Sequence, residues 1–198
     1  MMGQWLWIPA AYLIGSLSSA VLVSRLMGLP DPREGGSKNP GATNVLRLGG
    51  KKAGALTLFG DWLKGWLPVM LAGATGAEPQ VVALTLLAAF FGHLYPVFFG
   101  FKGGKGVSTA FGVLTGAYWL MGLATAATWT LTAALTRYSS LGSLVGAVLA
   151  PVYAHFMVGS LPLTAATALM STILIFRHKG NIQRLLAGQE SKIGQKST

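Results

Sequence analysis

The chain has 198 residues, of which 52% are hydrophobic and only 10% are charged. Its mean hydropathy is +0.55, and soluble domains carry about a quarter charged residues. The composition therefore excludes an ordinary soluble globule and predicts a single transmembrane domain over residues 1–198. The absence of cysteine excludes disulfides and cysteine-based zinc or nucleophile chemistry. The net charge of +10 is compatible with nucleic acid, anionic lipid or an anionic substrate.

Apolar runs recur along the chain and predict its membrane-spanning helices. A helix needs about 20 apolar residues to cross the hydrocarbon layer, with about 17 as a lower limit. We identify seven runs, at residues 5–26, 53–73, 80–99, 107–117, 118–136, 141–158 and 161–176. The fourth run is too short to cross alone, and Gly116 provides the only break before the fifth. The fourth run is therefore either a half-crossing or part of one longer helix.

The distribution of charge favours seven crossings over six. If the N-terminus is outside, the cytoplasmic segments are residues 27–52, 100–106, 137–140 and the tail from 177. Together with Arg25 they contain every Lys and Arg except Lys64, and the opposite loops contain none, as the positive-inside rule requires. Merging the fourth and fifth runs would move Arg137 to the wrong side. The sequence thus predicts an all-α integral membrane protein of the inner-membrane type, with seven helices, an external N-terminus and a cytoplasmic C-terminus.

A cleaved signal peptide is the competing interpretation of the first run, because Ser18 and Ala20 resemble a cleavage pair. However, no Lys or Arg precedes the run, and Arg25 follows it. An uncleaved first helix is therefore favoured. Trp5 and Trp7 would then lie at the outer interface.

The first polar segment comprises residues 36–47, GSKNPGATNVLR. Ser37, Thr43 and Asn44 can donate to oxyanions or cap a helix, and Arg47 can hold a phosphate through two parallel hydrogen bonds. The alternative is a simple turn with helix caps, punctuated by Pro and Gly. Because the segment borders a membrane and lacks carboxylates, we favour a function in anion binding.

The second polar segment comprises residues 100–106, GFKGGKG. Consecutive glycines let backbone N–H groups converge on an anion, and Lys105 adds a positive charge. A helix starting at Val107 would direct its N-terminus at the same point. The segment is not a Walker A motif, because Phe99 replaces its first glycine and Gly106 replaces the hydroxyl residue that holds magnesium. A flexible hinge would not need the lysine, so we predict an anion site without nucleotide hydrolysis.

The third polar segment comprises residues 177–184, RHKGNIQR. Its cations could simply anchor a helix to anionic headgroups. His178 and Asn181 are three residues apart and would share a face of a helix. His178 could orient or deprotonate a substrate hydroxyl.

The remaining polar residues give weaker signals. We interpret His93 and His155 as structural, and Asp61 and Lys64 as an intramembrane ion pair, leaving open a role behind the site. No cluster has metal-ligand spacing and carboxylates are scarce, so we expect no metal, no cofactor and no paired-carboxylate catalysis. Basic aromatic stripes suited to nucleic acid are missing as well.

The three segments converge on one membrane face, where the residues alone predict binding of phosphorylated or amphiphilic substrates. GSKNPGATNVLR (36–47), GHLYPVFFGFKGGKGVSTAFG (92–112) and FRHKGNIQRL (176–185) resemble the three signature segments of the PlsY family. Members of that family are bacterial membrane glycerol-3-phosphate acyltransferases that take the acyl chain from acyl-phosphate. The resemblance covers most of the chain, in the same order and at similar spacing.

This resemblance implies seven helices and direct acyl transfer from acyl-phosphate to the 1-hydroxyl of glycerol-3-phosphate, without an acyl-enzyme. The products would be lysophosphatidic acid and phosphate, in the first step of phospholipid synthesis on the cytoplasmic side of the bacterial inner membrane. The expected partners are glycerol-3-phosphate, acyl-phosphate and membrane lipid, and we expect a monomer. The proton acceptor stays open between His178 and the phosphate of the donor.

The resemblance also implies two sets of site residues. The catalytic pocket would be formed by Ser37, Arg47, Lys105, His178 and Asn181. Contacts to substrate, mostly to phosphate oxygens, would come from Asn39, Thr43, Asn44, Gly103, Gly104 and Gly106. The sequence departs from the family at Lys38, where a glycine is common, and at Ser108, where alanine is usual.

Two alternatives belong to other classes. The His-x4-Asp pair of acyl-CoA-dependent glycerolipid acyltransferases is absent, since Phe98 follows His93 and Gln183 follows His178 at the aspartate position. A transporter or flippase for an organophosphate or lipid anion would use the same phosphate-binding residues, but the fourth to seventh runs lack a central charge. A structural lipid-binding protein would not need Ser37, His178 and Asn181 together.

Overall fold

The computed structural model describes residues 2–194, which form helices and their connections without any strand. The prediction of an all-α fold is thereby confirmed for this part of the chain. A short 3₁₀ helix at Met2–Leu6 precedes α1, another at Val97–Phe99 follows α4, and a π-helical turn at Ala154–Val158 extends α7. Residues 2–194 contain nine α-helices: α1 Trp7–Gly15, α2 Ser19–Leu26, α3 Ala42–Ala74, α4 Pro79–Leu94, α5 Val107–Ala117, α6 Trp119–Thr136, α7 Ser139–Tyr153, α8 Leu161–Arg177 and α9 Lys179–Leu186.

The first apolar run is broken into α1 and α2, which meet at an angle of 41°. At the break, the Oγ of Ser16 donates to the carbonyl oxygen of Tyr12 at 2.8 Å. The carbonyl oxygen of Leu17 accepts a hydrogen bond from Nζ of Lys64 at 2.7 Å. The prediction of one continuous helix over residues 5–26 is therefore wrong, because α1 ends at Gly15 and α2 begins only at Ser19.

Helix α3 is longer than the second apolar run and contains 33 residues. It begins at Ala42, inside the first polar segment, so the prediction that the cytoplasmic segment 27–52 is a loop is wrong for residues 42–52. Gly50 has a φ of +78° within this helix, a conformation that glycine adopts without steric cost. The polar start of α3 can therefore change direction where it meets the membrane-spanning part.

Helix α5 has the bounds that its apolar run predicts. It ends before Tyr118, whose extended backbone (φ −158°, ψ 113°) separates α5 from α6. The fourth and fifth runs are therefore separate helices. At 1.5 Å per residue, the 11 residues of α5 span about 16 Å, roughly half of the hydrocarbon thickness. Glycines let α5 approach α3 closely: a Cβ at Gly112 would lie 2.1 Å from the carbonyl oxygen of Trp62.

The core is built around α4, on which Leu86, Phe90 and Leu94 are fully buried. Large apolar side chains also cover the exterior, where Leu135 and Phe156 are 76% and 81% exposed, as expected of a surface that faces lipid. Within residues 2–194, two helical stretches are long and apolar enough to cross a membrane, Pro79–Phe99 and Ser139–Val158. The bent pairs Met2–Gly15 with Ser19–Leu26 and Leu161–Arg177 with Lys179–Leu186 are also apolar and long enough together, each as a broken span or a re-entrant loop. The count of seven crossings stays a prediction.

Candidate active site

The second and third polar segments are held together by two side chains. Nη2 of Arg177, the last residue of α8, donates to the carbonyl oxygens of Gly104 at 2.9 Å and Gly103 at 3.2 Å. Nζ of Lys105 donates to Oδ1 of Asn181 in the first turn of α9. The predicted convergence of Lys105 and Asn181 is therefore present. The contribution of Arg177 was missed, because a cation at a membrane interface is adequately explained by headgroup binding.

His178 lies between α8 and α9, just beyond the last apolar run, where the two helices form an angle of 58°. Its Nδ1–H donates to the carbonyl oxygen of Leu174 at 2.8 Å. Because a carbonyl can only accept, Nε2 of the neutral ring is left as a hydrogen-bond acceptor. Burial lowers the pKa of His178 to about 4, and the charge of Lys105 adds to this effect. The ring is therefore neutral at neutral pH.

His178 and Asn181 do not share the face of one continuous helix, as their spacing predicted. The bend at His178 starts a new helix instead, and the backbone N–H of Asn181 donates to the carbonyl oxygen of His178 at 2.8 Å. Both side chains are nevertheless buried, with 3% and 7% exposed. Lys105 lies near both of them, since it donates to Asn181 and its charge acts on His178.

Glu190, in the tail after α9, completes the network and was not predicted. Its Oε1 accepts hydrogen bonds from Nδ2 of Asn181 at 2.6 Å and Oγ of Ser140 at 2.7 Å. Its Oε2 accepts one from Nε of Arg184 at 2.7 Å. Burial tends to raise the pKa of Glu190, but these three hydrogen bonds outweigh it and hold the pKa below its usual range. The carboxylate turns the amide oxygen of Asn181 towards Lys105. As the only acidic residue after Glu78, Glu190 could have been noticed.

We call the group formed by Lys105, Arg177, His178, Asn181, Arg184 and Glu190, together with Arg47, the cationic pocket. It has an excess of positive charge. Burial lowers the pKa of Lys105, and the charges of Arg184, Arg177 and Arg47 lower it further, whereas Glu190 opposes them. Arg47 of the first polar segment is therefore close enough to act electrostatically on the second and third segments. Among the described residues these four cations face one carboxylate, which favours a bound anion.

Asn44 of the first polar segment is almost fully buried, with 1% exposed. Its Oδ1 accepts the backbone N–H of Ser37 at 2.9 Å, and its Nδ2 donates to the carbonyl oxygens of Pro32 and Gly35 at 2.9 and 3.0 Å. The side-chain amide of Asn44 thus ties residues 32–37 to the first turn of α3. A Cβ at Gly36 would lie 2.3 Å from Oδ1 of Asn44, so the same contact requires that glycine.

The other predicted residues of the first polar segment are accessible. Ser37, Thr43 and Arg47 are exposed and Asn39 is half-buried. Lys38 has a φ of +55°, in the left-handed region that favours glycine. The departure from the family at Lys38 therefore falls where the backbone itself prefers glycine.

The glycines of the second polar segment pack tightly against α4. A Cβ at Gly103 would lie 2.0 Å from the carbonyl oxygen of His93, and one at Gly104 would lie 2.5 Å from Nε2 of His93. Gly106 has a φ of +88°, and its Cβ would lie 2.4 Å from Cε2 of Phe90. Packing alone thus requires all three glycines. Gly106 also precedes α5 without a side-chain cap, which leaves the first N–H groups of α5 available to an anion.

Fold and site together define an all-helical membrane protein with a cationic pocket formed by three polar segments. Within residues 2–194 no group of three or more His, Asp or Glu side chains could hold a metal ion. The sequence profile of the glycerol-3-phosphate acyltransferase family matches residues 5–188. The chain belongs to this family.

Relatives and solved structures match over nearly the whole chain. A glycerol-3-phosphate acyltransferase of Methylococcus capsulatus is 60% identical over 193 residues, covering 98% of both chains. One of Burkholderia vietnamiensis is 59% identical over 188 residues, covering 94% of this chain and 89% of its own. The crystal structure of PlsY (YgiH), an integral membrane glycerol 3-phosphate acyltransferase, in its glycerol 3-phosphate form superposes with a TM-score of 0.92 at 37% identity, covering 97% of this chain and 96% of that one. Its lysophosphatidic acid form gives 0.88 at 36%, with the same coverage.

Proposed function

We propose that this protein transfers a fatty acyl chain from acyl-phosphate to the 1-hydroxyl of glycerol-3-phosphate, yielding lysophosphatidic acid and phosphate. This would be the first step of phospholipid synthesis. The observation that carries the proposal is the pocket in which Lys105, held by Asn181, lies with His178 and within electrostatic reach of Arg47. The forms in which the PlsY neighbour was crystallised, with glycerol 3-phosphate and with lysophosphatidic acid, support the same acceptor and product.

The pocket meets the needs of direct transfer. Acyl-phosphate is a mixed anhydride with a good leaving group, so no acyl-enzyme is required. The protein has to hold two anions together, orient one hydroxyl and stabilise the charge that develops at the acyl carbon. We assign Lys105, Arg47 and the free N–H groups at the start of α5 to the phosphate oxygens. The hydrogen bond to Asn181 restricts the ammonium group of Lys105 before substrate arrives.

We assign the proton to the donor phosphate and an orienting role to His178. Nε2 of the neutral His178 ring accepts a hydrogen bond from the 1-hydroxyl of glycerol-3-phosphate. A pKa of about 4 makes the ring a weak base at neutral pH, so the phosphate anion that leaves the acyl group is the better proton acceptor. The hydroxyl oxygen bonds to the acyl carbon, the bond from that carbon to phosphate breaks, and the hydroxyl proton ends on the released phosphate.

The remaining predicted residues fall into two groups. Ser37, Asn39 and Thr43 have accessible side chains and are kept as contacts to phosphate oxygens, with Ser37 in the catalytic set. Asn44 and the three glycines act as supports, because their contacts are made within the protein. The backbone N–H groups of the three glycines are kept as contacts to phosphate.

We further propose that the chain forms one monomeric transmembrane domain over residues 1–198, with seven crossings and its N-terminus outside. The active site would then face the cytoplasm in the bacterial inner membrane. The break at Tyr118 supports separate fourth and fifth crossings, and the distribution of Lys and Arg supports the orientation.

The experiment that tests this function is product formation by purified protein in detergent or bilayers, without metal or nucleotide. Glycerol-3-phosphate is supplied with palmitoyl-phosphate in one reaction and palmitoyl-CoA in another. We expect lysophosphatidic acid from the phosphate donor alone. Product from the CoA donor alone would show that the donor and the mechanism are wrong. No product from either, in folded protein, would favour a transporter, which uptake of glycerol-3-phosphate into proteoliposomes would then reveal.

A further inference from the structure

A second cluster of charged and titratable side chains lies among the helices and is not used by the proposed mechanism. Nζ of Lys64 contacts Oδ1 of Asp61 at 2.8 Å, which confirms the predicted ion pair on α3. Nδ1 of His93, near the end of α4, lies 3.6 Å from the same carboxylate oxygen. The three side chains are between 3% and 6% exposed. Burying charged groups at such depth costs free energy even when they are paired, so apolar residues at these positions would stabilise the core more.

The imidazole of His93 also touches the point where two polar segments meet. A Cβ at Gly104 would lie 2.5 Å from Nε2 of His93 and 2.8 Å from the carbonyl oxygen of Pro40. A Cβ at Gly103 would lie 2.0 Å from the carbonyl oxygen of His93. His93 therefore supports the second polar segment with both its ring and its backbone, next to the first segment at Pro40. Treating His93 as a lone structural residue overlooked these contacts.

The cluster connects this contact to three helical elements. Lys64 reaches the break between α1 and α2 through its hydrogen bond to the carbonyl oxygen of Leu17 at 2.7 Å. The carbonyl oxygen of Asp61 accepts a hydrogen bond from Oγ1 of Thr109 on α5 at 3.0 Å. Both ring nitrogens of His93 are buried and make no hydrogen bond to the described residues. The ring is thus held by the Asp61 charge and by packing, with one edge against Gly104.

We propose that Asp61, Lys64 and His93 act as positioning residues that set the backbone of Gly103 and Gly104 for phosphate binding. Asp61, fixed by Lys64, holds the imidazole of His93, and the imidazole holds Gly104 of the second polar segment in place beside Pro40. The cluster determines how well glycerol-3-phosphate is bound, while the reacting groups remain those of the pocket. This inference rests on the proposed function of the second polar segment as a phosphate site.

The test compares His93→Gln with wild type and with His155→Gln. His155 is an exposed histidine in the π-helical turn and serves as the matched control. His93→Gln leaves the Asp61–Lys64 pair intact. We expect the KM for glycerol-3-phosphate to rise about tenfold, because a small displacement of binding groups has an effect of this order or more. The kcat should stay within about twofold of wild type. A purely structural role predicts a lower melting temperature with an unchanged KM.

A second variant keeps the proposal testable if His93→Gln does not fold. Asp61→Asn combined with Lys64→Met removes both charges together, so no buried charge is left alone, and it should raise the same KM. An unchanged KM in a folded variant would overturn the positioning role, as would failure of both variants to fold. If wild type binds glycerol-3-phosphate but forms no product, only the proposed reaction fails. The same comparison is then made on the dissociation constant of glycerol-3-phosphate.

Discussion

The cationic pocket and the buried cluster arrange their charges in opposite ways. In the cluster, Asp61 faces Lys64 at 2.8 Å and both side chains are almost fully buried. In the pocket, four cations face Glu190 alone among the described residues, and Arg47 and Arg184 are exposed. An excess of one sign of charge is tolerable only where water or a bound anion can reach it. The difference supports the proposals that the pocket binds the substrate and that the cluster positions it.

The largest effect is expected from removing a pocket cation. Arg47→Met deletes a side chain that can hold phosphate bidentately, so acyl transfer should fall about 10³-fold, the upper range for loss of one stabilising donor. Membrane insertion should be unaffected because Arg47 is exposed. The matched control is Arg25→Met, another exposed arginine, which should keep wild-type turnover. Retained activity in Arg47→Met would remove the first polar segment from the pocket.

The carboxylate of Glu190 offers the next test. Glu190→Gln keeps the size of the side chain but removes the charge that orients Asn181, and through it Lys105. We expect kcat/KM to fall about 10²-fold, as for a misplacement of about 1 Å at the reacting groups. Glu78→Gln is the control, because Glu78 is exposed and lies outside the pocket. Equal activity of Glu190→Gln and wild type would contradict the orienting role.

A third prediction concerns protonation of the pocket. Burial lowers the pKa of His178 to about 4, below the ordinary value of about 6.5. The ring should therefore stay neutral from pH 7 down to about pH 5.5, and protonation of His178 should not reduce turnover in that range. Imidazole resonances of isotope-labelled protein, assigned by loss in His178→Gln, report this directly. A titration midpoint near 6.5 would show that the ring is not desolvated.

The smallest effect is expected at Lys38, whose φ of +55° costs a side chain with a Cβ about 1 kcal/mol. Lys38→Gly relieves this cost but increases the entropy of the unfolded chain by a similar amount. The free energy of unfolding should therefore change by less than about 1 kcal/mol, and activity should be retained. Lys38→Val, whose branched side chain fits this backbone poorly, should destabilise the protein by more. Equal free energies of unfolding in Lys38→Gly and Lys38→Val would show that the left-handed backbone at position 38 does not limit stability.

Much of the fold follows from hydrophobic pattern. The bounds of α5, the separate start of α6 and the Asp61–Lys64 pair were all predicted from the sequence. The break in the first apolar run was not predicted. The hydrogen bond from Lys64 to the carbonyl oxygen of Leu17 at this break is a tertiary contact, which the local pattern does not show. The helical start of α3 was missed as well, because Pro40 and the glycines around residues 36–50 are typical of a loop.

The pocket shows a similar division. Lys105, His178, Asn181 and Arg47 were predicted as site residues from three local segments. In the structure Lys105 donates to Asn181, and its charge acts on His178 as that of Arg47 acts on Lys105. Their catalytic roles stay a prediction. Glu190 could not be assigned from spacing, since it reaches the pocket through the folding of the tail. Asn44 looked like a substrate ligand because an amide has the same hydrogen-bonding groups whether it closes a loop or binds phosphate. In the structure the Asn44 amide is hydrogen-bonded to three backbone groups of the protein, which the sequence alone does not reveal.

The most direct test of the pocket compares two lysines of the second polar segment. Lys105 is half-buried and bonded to Asn181, whereas Lys102 is exposed. Acyl transfer from palmitoyl-phosphate to glycerol-3-phosphate is measured in Lys105→Met and Lys102→Met, each shown to be folded. We expect transfer to be lost in Lys105→Met and kept in Lys102→Met. Equal activity of the two variants would contradict a pocket centred on Lys105.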